Sequence, residues 1–132
     1  MLFGVSGARR QLLERHSFPV PDPVPVRAVI DTGSAVTAIS PRVFTALDIR
    51  PFGERAILTP STRFDAPHPA VQYLVSLFLV SADQPHRIPD VHVIAADCWV
   101  PGGGVEALIG CDVLNRCGFE YAGPHRTFML AF

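Results

Sequence analysis

The sequence contains no lysine, and all 11 of its basic residues are arginine. Its formal net charge at pH 7 is -1, so it offers no excess of positive charge to the phosphate backbone of a nucleic acid. The longest apolar stretch, residues 71–80, is about half of the roughly 20 residues that a membrane-spanning helix needs. Arg9 and Arg10 follow the apolar residues 1–5 too closely for a secretory signal. These absences predict a cytoplasmic protein that binds neither nucleic acid nor membrane.

Cysteine is also scarce. Cys98, Cys111 and Cys117 form no CxxC motif and no Cys/His spacing typical of a metal site. An odd number of cysteines favours free thiols over a disulfide framework, and we expect these thiols to be buried in a reducing compartment. The five histidines are dispersed. The sequence therefore predicts no metal and no cofactor.

The length of 132 residues, 48% of them hydrophobic, suits a single domain over residues 1–132 with one core. Thirteen scattered prolines disfavour a helical bundle, because proline is tolerated mainly at turns and strand edges. Residues 1–23 are compatible with either an irregular N-terminal arm or a first strand. Apolar runs bounded by turn residues predict strands at 27–31, 35–40, 56–62, 71–80, 88–96 and 107–110, and a hairpin over 119–132.

Two short helices are predicted between these strands. The first begins at Ser40-Pro41, a favourable pair for an N-cap and a first helical position, and the second covers 111–117 and ends at Gly118. A mainly β chain without long crossover helices favours a small closed barrel over a parallel α/β fold. The apolar face of the first helix consists of Val43, Phe44 and Leu47.

Asp31 is an acidic residue at the end of an apolar run, and it is followed by Thr32-Gly33-Ser34. A carboxylate is rarely placed in such a run without partners, because removing its charge from water is costly. Gly33 permits a sharp turn and a close approach of the backbone. The segment alone is also compatible with an ordinary turn between two strands.

A second segment lies about 76 positions later, where Leu108-Ile109-Gly110 ends a predicted strand and precedes a short helix. Asp112 is explained locally by the favourable interaction of a carboxylate with the N-terminal end of that helix, and it need not be catalytic. Taken alone, this segment is a core strand leading into a helix.

Together the two segments resemble the retropepsin-like aspartic proteases, the single-domain relatives of pepsin, over residues 24–132. The motif at 108–114 is more similar to cellular, bacterial and retrotransposon members than to retroviral enzymes. The resemblance implies an acid-protease-type closed β-barrel with one lobe per chain and Asp31 as the catalytic carboxylate. It further implies that Thr32 bonds across a dimer, Gly33 offers backbone groups to substrate and Ser34 orients the carboxylate. Structural roles fall to Leu108, Ile109 and Gly110.

A homodimer would supply the second catalytic group that this chemistry needs. Peptide hydrolysis requires two carboxylates that share a proton around one water, and the chain has one Asp-Thr-Gly. A two-fold axis would bring Asp31 and its copy together, and the pair would titrate as a unit. The expected partners are a second copy and a peptide or protein substrate. The C-terminal strand 127–132 is expected at the dimer interface, through the apolar stripe of Phe128, Leu130 and Phe132.

The sequence departs from the family's pattern around the site. Retroviral members have an acidic residue after the Ser or Ala and an Arg after the later Gly, where this chain has Ala35 and Cys111. Because both charges are missing, neither is left unpaired, and a different support of the same loop is expected. The family's flap corresponds to a hairpin over 56–79 with its tip in 64–70, a region without glycine.

Two functions from different classes are compatible with these features. The favoured one is an aspartic endopeptidase that acts as a homodimer. The alternative is a catalytically weak or inactive retropepsin-like module for dimerisation or peptide binding. An unrelated β-barrel binding protein is a third, broader alternative.

Overall fold

A computed structural model describes residues 1–59, 63, 65–80, 85–98 and 103–132. The described part is mainly β, as predicted, but it has three short α-helices rather than two. The strands are β1 (Leu2–Val5), β2 (Val24–Pro25), β3 (Ala28–Ile30), β4 (Ala38–Ile39), β5 (Gly53–Ile57), β6 (His68–Leu79), β7 (His86–Ala95), β8 (Ala107–Ile109), β9 (Gly118–Ala122) and β10 (Thr127–Ala131). The helices are α1 (Gly7–Arg15), α2 (Pro41–Ala46) and α3 (Cys111–Leu114).

Eight strands form one curled, half-barrel sheet in the order β2-β1-β6-β7-β4-β8-β3, with β5 paired to β6. Neighbouring strands are antiparallel except for β4 with β7 and β3 with β8, which are parallel. The hairpin of β9 and β10 forms a separate two-stranded sheet. Closure of the sheet into a complete barrel stays a prediction.

The main core includes buried side chains from β1 and β6, two neighbouring strands of the sheet. Phe3 pairs with Leu77 and Val5 with Val75, and all four side chains are buried because alternate residues of a strand face the same side. Burying a large aliphatic or aromatic side chain contributes about 1.5–3 kcal/mol relative to leaving it exposed. The N-terminal segment thus provides a first strand to the sheet, one of the two alternatives expected for residues 1–23.

Helix α2 closes one side of this core. Pro41 stands in its first turn and Ser40 at its N-cap position, as predicted, although no side-chain capping bond from Ser40 is found among the described residues. Phe44 stacks on Tyr73 of β6, with ring centroids 3.8 Å apart. The predicted apolar face is buried, since Val43, Phe44 and Leu47 are at most 2% exposed.

Two predicted elements are shorter than expected. The strand predicted at 35–40 is reduced to Ala38–Ile39, because the backbone N–H of Thr37 donates to a side chain instead of a neighbouring strand. Helix α3 ends at Leu114 rather than near Gly118, which instead begins β9. After Asn115 the bonds become tighter i→i−3 contacts, from Arg116 N–H to the Val113 carbonyl and from Cys117 N–H to the Leu114 carbonyl.

The predicted hairpin over 56–79 is present as β5 and β6, but its strands are displaced. Ile57 pairs with His68 and Gly53 with Gln72, so β5 begins before residue 56. His68–Ala70, which the sequence placed in the tip, already belongs to the paired strands; the connection lies between Ile57 and His68. Parts of two predicted elements lie outside the described residues: 60–62 of the strand at 56–62, and residue 64 of the tip.

Candidate active site

Asp31 and Gly110 lie together because they follow two paired parallel strands. Ile30 of β3 is in register with Ile109 of β8, so the next residue of each strand emerges at the same edge of the sheet. The backbone N–H of Asp31 donates to the Ile109 carbonyl at 2.9 Å. The two motifs that the sequence separates by more than 70 positions therefore form one local structure.

The loop 31–37 crosses the end of β8. Strands β3 and β4 are consecutive in the chain but lie on opposite sides of β8, so their connection has to pass over Gly110. A Cβ atom at Gly110 would lie 2.7 Å from the carbonyl carbon of Val36 and 2.9 Å from the carbonyl oxygen of Ser34. Glycine is needed there because any larger residue would displace the loop backbone.

A tight turn holds the carboxylate of Asp31. The side-chain Oδ1 of Asp31 accepts a hydrogen bond from the Gly33 N–H at 3.0 Å. The backbone carbonyl of Asp31 accepts one from the Ser34 N–H at 3.2 Å. Asp31 is half-buried, whereas Thr32 and Gly33 are exposed. The carboxylate is thus oriented by its own loop and still reaches the surface, an arrangement that suits an acid–base group acting on an external substrate.

Ser34 and Thr32 make contacts that the sequence did not anticipate. The Ser34 hydroxyl donates to the Val36 carbonyl at 2.8 Å, so its expected role in orienting Asp31 stays a prediction. The Thr32 carbonyl accepts a hydrogen bond from the Cys111 thiol at 3.4 Å. Bonding of Thr32 across a dimer likewise stays a prediction.

The residues before Gly110 anchor this region to two apolar clusters. Ile109 is fully buried in the main core. Leu108 is half-buried and packs against a smaller cluster that includes Val36 of the loop and Ala70 of β6. This second cluster joins the Asp31 loop to the end of the β5–β6 hairpin that lies next to its connection.

Sequence reasoning missed the Thr37–Asp112 pair. Asp112 Oδ2 accepts from the Thr37 N–H at 3.0 Å, and Oδ1 accepts from the Thr37 hydroxyl at 2.7 Å. The Thr37 Oγ1 in turn accepts from the Gly110 N–H at 3.1 Å. Two features of the sequence could have indicated this pair. One is a hydroxyl residue inside the apolar run at 35–40, and the other is an acidic residue two positions after Gly110.

An ion pair joins α2 to Glu106, the residue before β8. The Arg42 guanidinium donates to the Glu106 carboxylate. This hydrogen bond lowers the pKa of Glu106 below its usual value and raises the pKa of Arg42. Because both side chains keep contact with solvent, the pair makes a small contribution to stability.

The cysteines differ in burial more than expected. All three are free thiols, but only Cys98 is buried, whereas Cys111 and Cys117 are half-buried. Burial disfavours a thiolate, and it raises the pKa of both Cys98 and Cys117. Cys98 donates weakly to the carbonyls of Ala96 and Ala38 and belongs to the second apolar cluster.

Within the described ranges, no group of three or more His, Cys, Asp or Glu side chains is arranged to hold a metal ion. Nor, in that same part of the chain, is any helix long and apolar enough to cross a membrane. Comparison of the chain with protein-family models, curated proteins and solved structures finds no match.

Proposed function

We propose that this protein is a retropepsin-like aspartic endopeptidase that acts as a homodimer, with an acid-protease-type barrel in each subunit and Asp31 as the catalytic carboxylate. One observation carries the proposal: the Asp31 turn and Gly110 meet at the ends of paired parallel strands, with the loop packed over the glycine. An ordinary turn between adjacent strands would not need this crossing. The crossing therefore supports the interpretation that this loop holds the Asp31 carboxylate in a fixed position.

The proposed reaction uses Asp31 and Asp31 of the partner subunit. The ionised carboxylate accepts a proton from a water molecule as the water oxygen bonds to the peptide carbonyl carbon, while the protonated carboxyl donates to the carbonyl oxygen. The carbon–nitrogen bond then breaks as the nitrogen takes up the proton that came from water, while a hydroxyl of the intermediate returns a proton to the other carboxylate. An amine and a carboxylic acid are released, and the pair again holds one proton. The two carboxyls must share one proton, so the rate should fall at both low and high pH.

The second copy is proposed to dock on the C-terminal hairpin. Phe119 and Leu130 pair across β9 and β10 and are half-buried against the main core. Two positions further along the hairpin, the paired residues Tyr121 and Phe128 are 64% and 58% exposed. These two side chains line an open groove of about 430 Å³ together with Thr32 of the catalytic loop. A copy seated there would cover exposed aromatic surface and bring a second Asp31 loop towards the first.

The open edge of the hairpin supports the same occupant. In the part of the chain that the structure describes, β10 pairs only with β9, so its outer edge has free backbone donors and acceptors. An isolated two-stranded sheet is marginally stable, and an unpaired edge is a template for another strand. A two-fold related β10 would match the same apolar side chains and the same edge by symmetry.

The β5–β6 hairpin is proposed as the lid over a bound peptide. Ile57 and Ala70, near the connection between its two strands, pack in the second apolar cluster with Val36 of the Asp31 loop and Leu108. A peptide lying between this hairpin and Asp31 would meet an apolar wall. The proposed substrates are therefore peptides or proteins in an extended conformation.

The decisive experiment is a peptide-library digest by the wild type and by Asp31→Asn from acid to neutral pH. Asparagine is nearly the same size but cannot accept the proton from water, so activity should fall by about 10³-fold or more. Asp22→Asn is the matched control, because Asp22 is an exposed carboxylate in another segment. Equal cleavage by wild type and Asp31→Asn would refute the catalytic assignment.

The alternative function, a dimerisation or peptide-binding module, makes a different prediction in the same experiment. The wild type would then cleave no peptide at any pH and would still form a dimer. Binding of peptides without turnover, measured by calorimetry, would favour this alternative over the enzyme.

A further inference from the structure

We infer that Asp112 is a positioning residue, which fixes the far end of the catalytic loop by binding Thr37 with both of its carboxylate oxygens. This inference rests on the proposed function for its catalytic consequence. It answers a question raised by the sequence, since Ala35 and Cys111 replace the charged pair that supports this loop in the retroviral members that the chain resembles.

The loop 31–37 is fixed at its first residue by the bond from the Asp31 N–H to the Ile109 carbonyl, at 2.9 Å. Thr37 ends the loop, and it is fully buried. Its N–H has no strand partner and donates to Asp112 Oδ2, while its hydroxyl donates to Asp112 Oδ1. Both polar hydrogens of this buried residue therefore depend on one carboxylate.

The middle of the loop is held by the residue before Asp112. The Cys111 N–H donates to the Ser34 carbonyl at 2.8 Å, and the Cys111 thiol donates to the Thr32 carbonyl. These are neutral hydrogen bonds, whereas those to Asp112 involve an acceptor that carries charge when it is ionised. Charge-assisted hydrogen bonds are shorter than neutral ones and roughly twice as strong. With two hydrogen bonds to a single buried residue, Asp112 attaches the last residue of the loop to the segment that follows β8.

A purely local role of Asp112 at the start of α3 does not explain this geometry. Such a role would use the bond from the Val113 N–H to Oδ1, at 2.9 Å. Oδ2 instead accepts from Thr37, which is 75 positions away in the sequence. Oδ1 also accepts a hydrogen bond from the Thr37 hydroxyl, and the Thr37 Oγ1 accepts one from the Gly110 N–H.

The test compares Asp112→Asn, Thr37→Val and the double variant with Thr37→Ser and Asp22→Asn. Asp112→Asn removes one acceptor oxygen and Thr37→Val removes the hydroxyl, both at nearly constant side-chain size. Thr37→Ser keeps the hydroxyl. Asp22→Asn changes an exposed carboxylate in another segment. Hydrogen exchange measures the opening of the loop amides at 31–37 relative to those of β6 and β7. Steady-state kinetics on a cleaved library peptide gives kcat and KM separately.

We expect exchange in 31–37 to become at least about tenfold faster in Asp112→Asn and Thr37→Val, with β6 and β7 unchanged. We expect kcat to fall by about 10–100-fold with KM within about twofold, because misplacement of a catalytic group by about 1 Å has such an effect. The double variant should be no worse than the worse single variant, since the two residues act through one contact. Thr37→Ser should keep both the exchange rates in 31–37 and kcat close to their wild-type values.

Unchanged loop exchange in both Asp112→Asn and Thr37→Val would overturn the inference, as would additive effects in the double variant. Faster loop exchange with unchanged kcat would overturn the positioning role in catalysis. If the wild type has no activity, the proposed function fails, and exchange still decides whether Asp112 holds the loop. If Asp112→Asn does not fold, Thr37→Val and its comparison with Thr37→Ser decide the question.

Discussion

The carbonyl carbon of Val36 lies 2.7 Å from the position that a Cβ atom on Gly110 would occupy. Two other backbone atoms, the carbonyl oxygens of Ser34 and Val36, lie within 2.9 Å of the same position. Backbone atoms cannot rotate away as a side chain can. The contact therefore makes the position of the Asp31 loop depend on the absence of a side chain in a different segment.

Gly110→Ala should destabilise the protein and abolish or strongly reduce peptidase activity. Insertion of a methyl group into a well-packed site costs about 1–3 kcal/mol, and the upper end is expected here because the neighbours are backbone. The free energy of unfolding in urea measures the effect. Gly53→Ala is the matched control, since a Cβ atom there would meet no atom within 4 Å. Equal stability of the two variants would contradict this account of Gly110.

Phe128→Asp should convert the proposed dimer into a monomer. The substitution places a charge in the groove between the hairpin and Thr32, where a second copy is proposed to dock. Sedimentation velocity at several concentrations measures the association, and a weakening of about 100-fold or more is expected for a central aromatic residue. Phe18→Asp is the control, because Phe18 is 63% exposed in the segment after α1. A Phe128→Asp protein that remains dimeric would remove the hairpin from the interface.

Trypsin should cleave after Arg63 more slowly when a peptide-like inhibitor is bound. Arg63 is exposed in the connection between β5 and β6, and closure of a lid over the inhibitor would restrict it. A decrease of about tenfold in cleavage rate is expected, because proteolysis follows the population of the open form. Cleavage after Arg15, an exposed residue at the end of α1, provides the internal reference. Unchanged cleavage after Arg63 at saturating inhibitor would show that this hairpin is not a lid.

Glu106→Gln should lower stability at neutral pH and have no effect in acid. The Arg42 hydrogen bond places the folded-state pKa of Glu106 below the unfolded value of about 4.3, so its contribution is present above that value. The contribution is lost as the pH falls through the folded-state pKa. We expect a difference of about 0.2–1 kcal/mol near pH 7, measured by urea unfolding.

The same unfolding series includes Glu54→Gln as a control, because Glu54 is an exposed carboxylate on β5. A Glu106→Gln difference that persists unchanged at about pH 2 would show that the effect comes from packing rather than from ionisation of Glu106.

The sequence determined those features that depend on near neighbours in the chain. Alternation of apolar residues was enough to predict the C-terminal hairpin, where Leu130 faces Phe119. The Ser40-Pro41 pair correctly predicted the start of α2, since proline lacks the N–H that the first helical turn leaves unpaired. Local signals failed at the end of α3, because Gly118, a residue type common just after a helix, begins strand β9 instead.

The tertiary structure alone decided what holds Asp31 in place. Strand β8 is inserted between β3 and β4, an order that no local periodicity encodes, and this insertion brings Gly110 under the loop. It also brings Asp112 to Thr37 across 75 positions of sequence. The sequence alone supplied the two motifs, at 31–34 and 108–110, on which the proposed function rests, because each is read from neighbouring residue types. Their geometry required the fold, because hydrogen bonds between distant segments exist only after the strands have paired in one particular order.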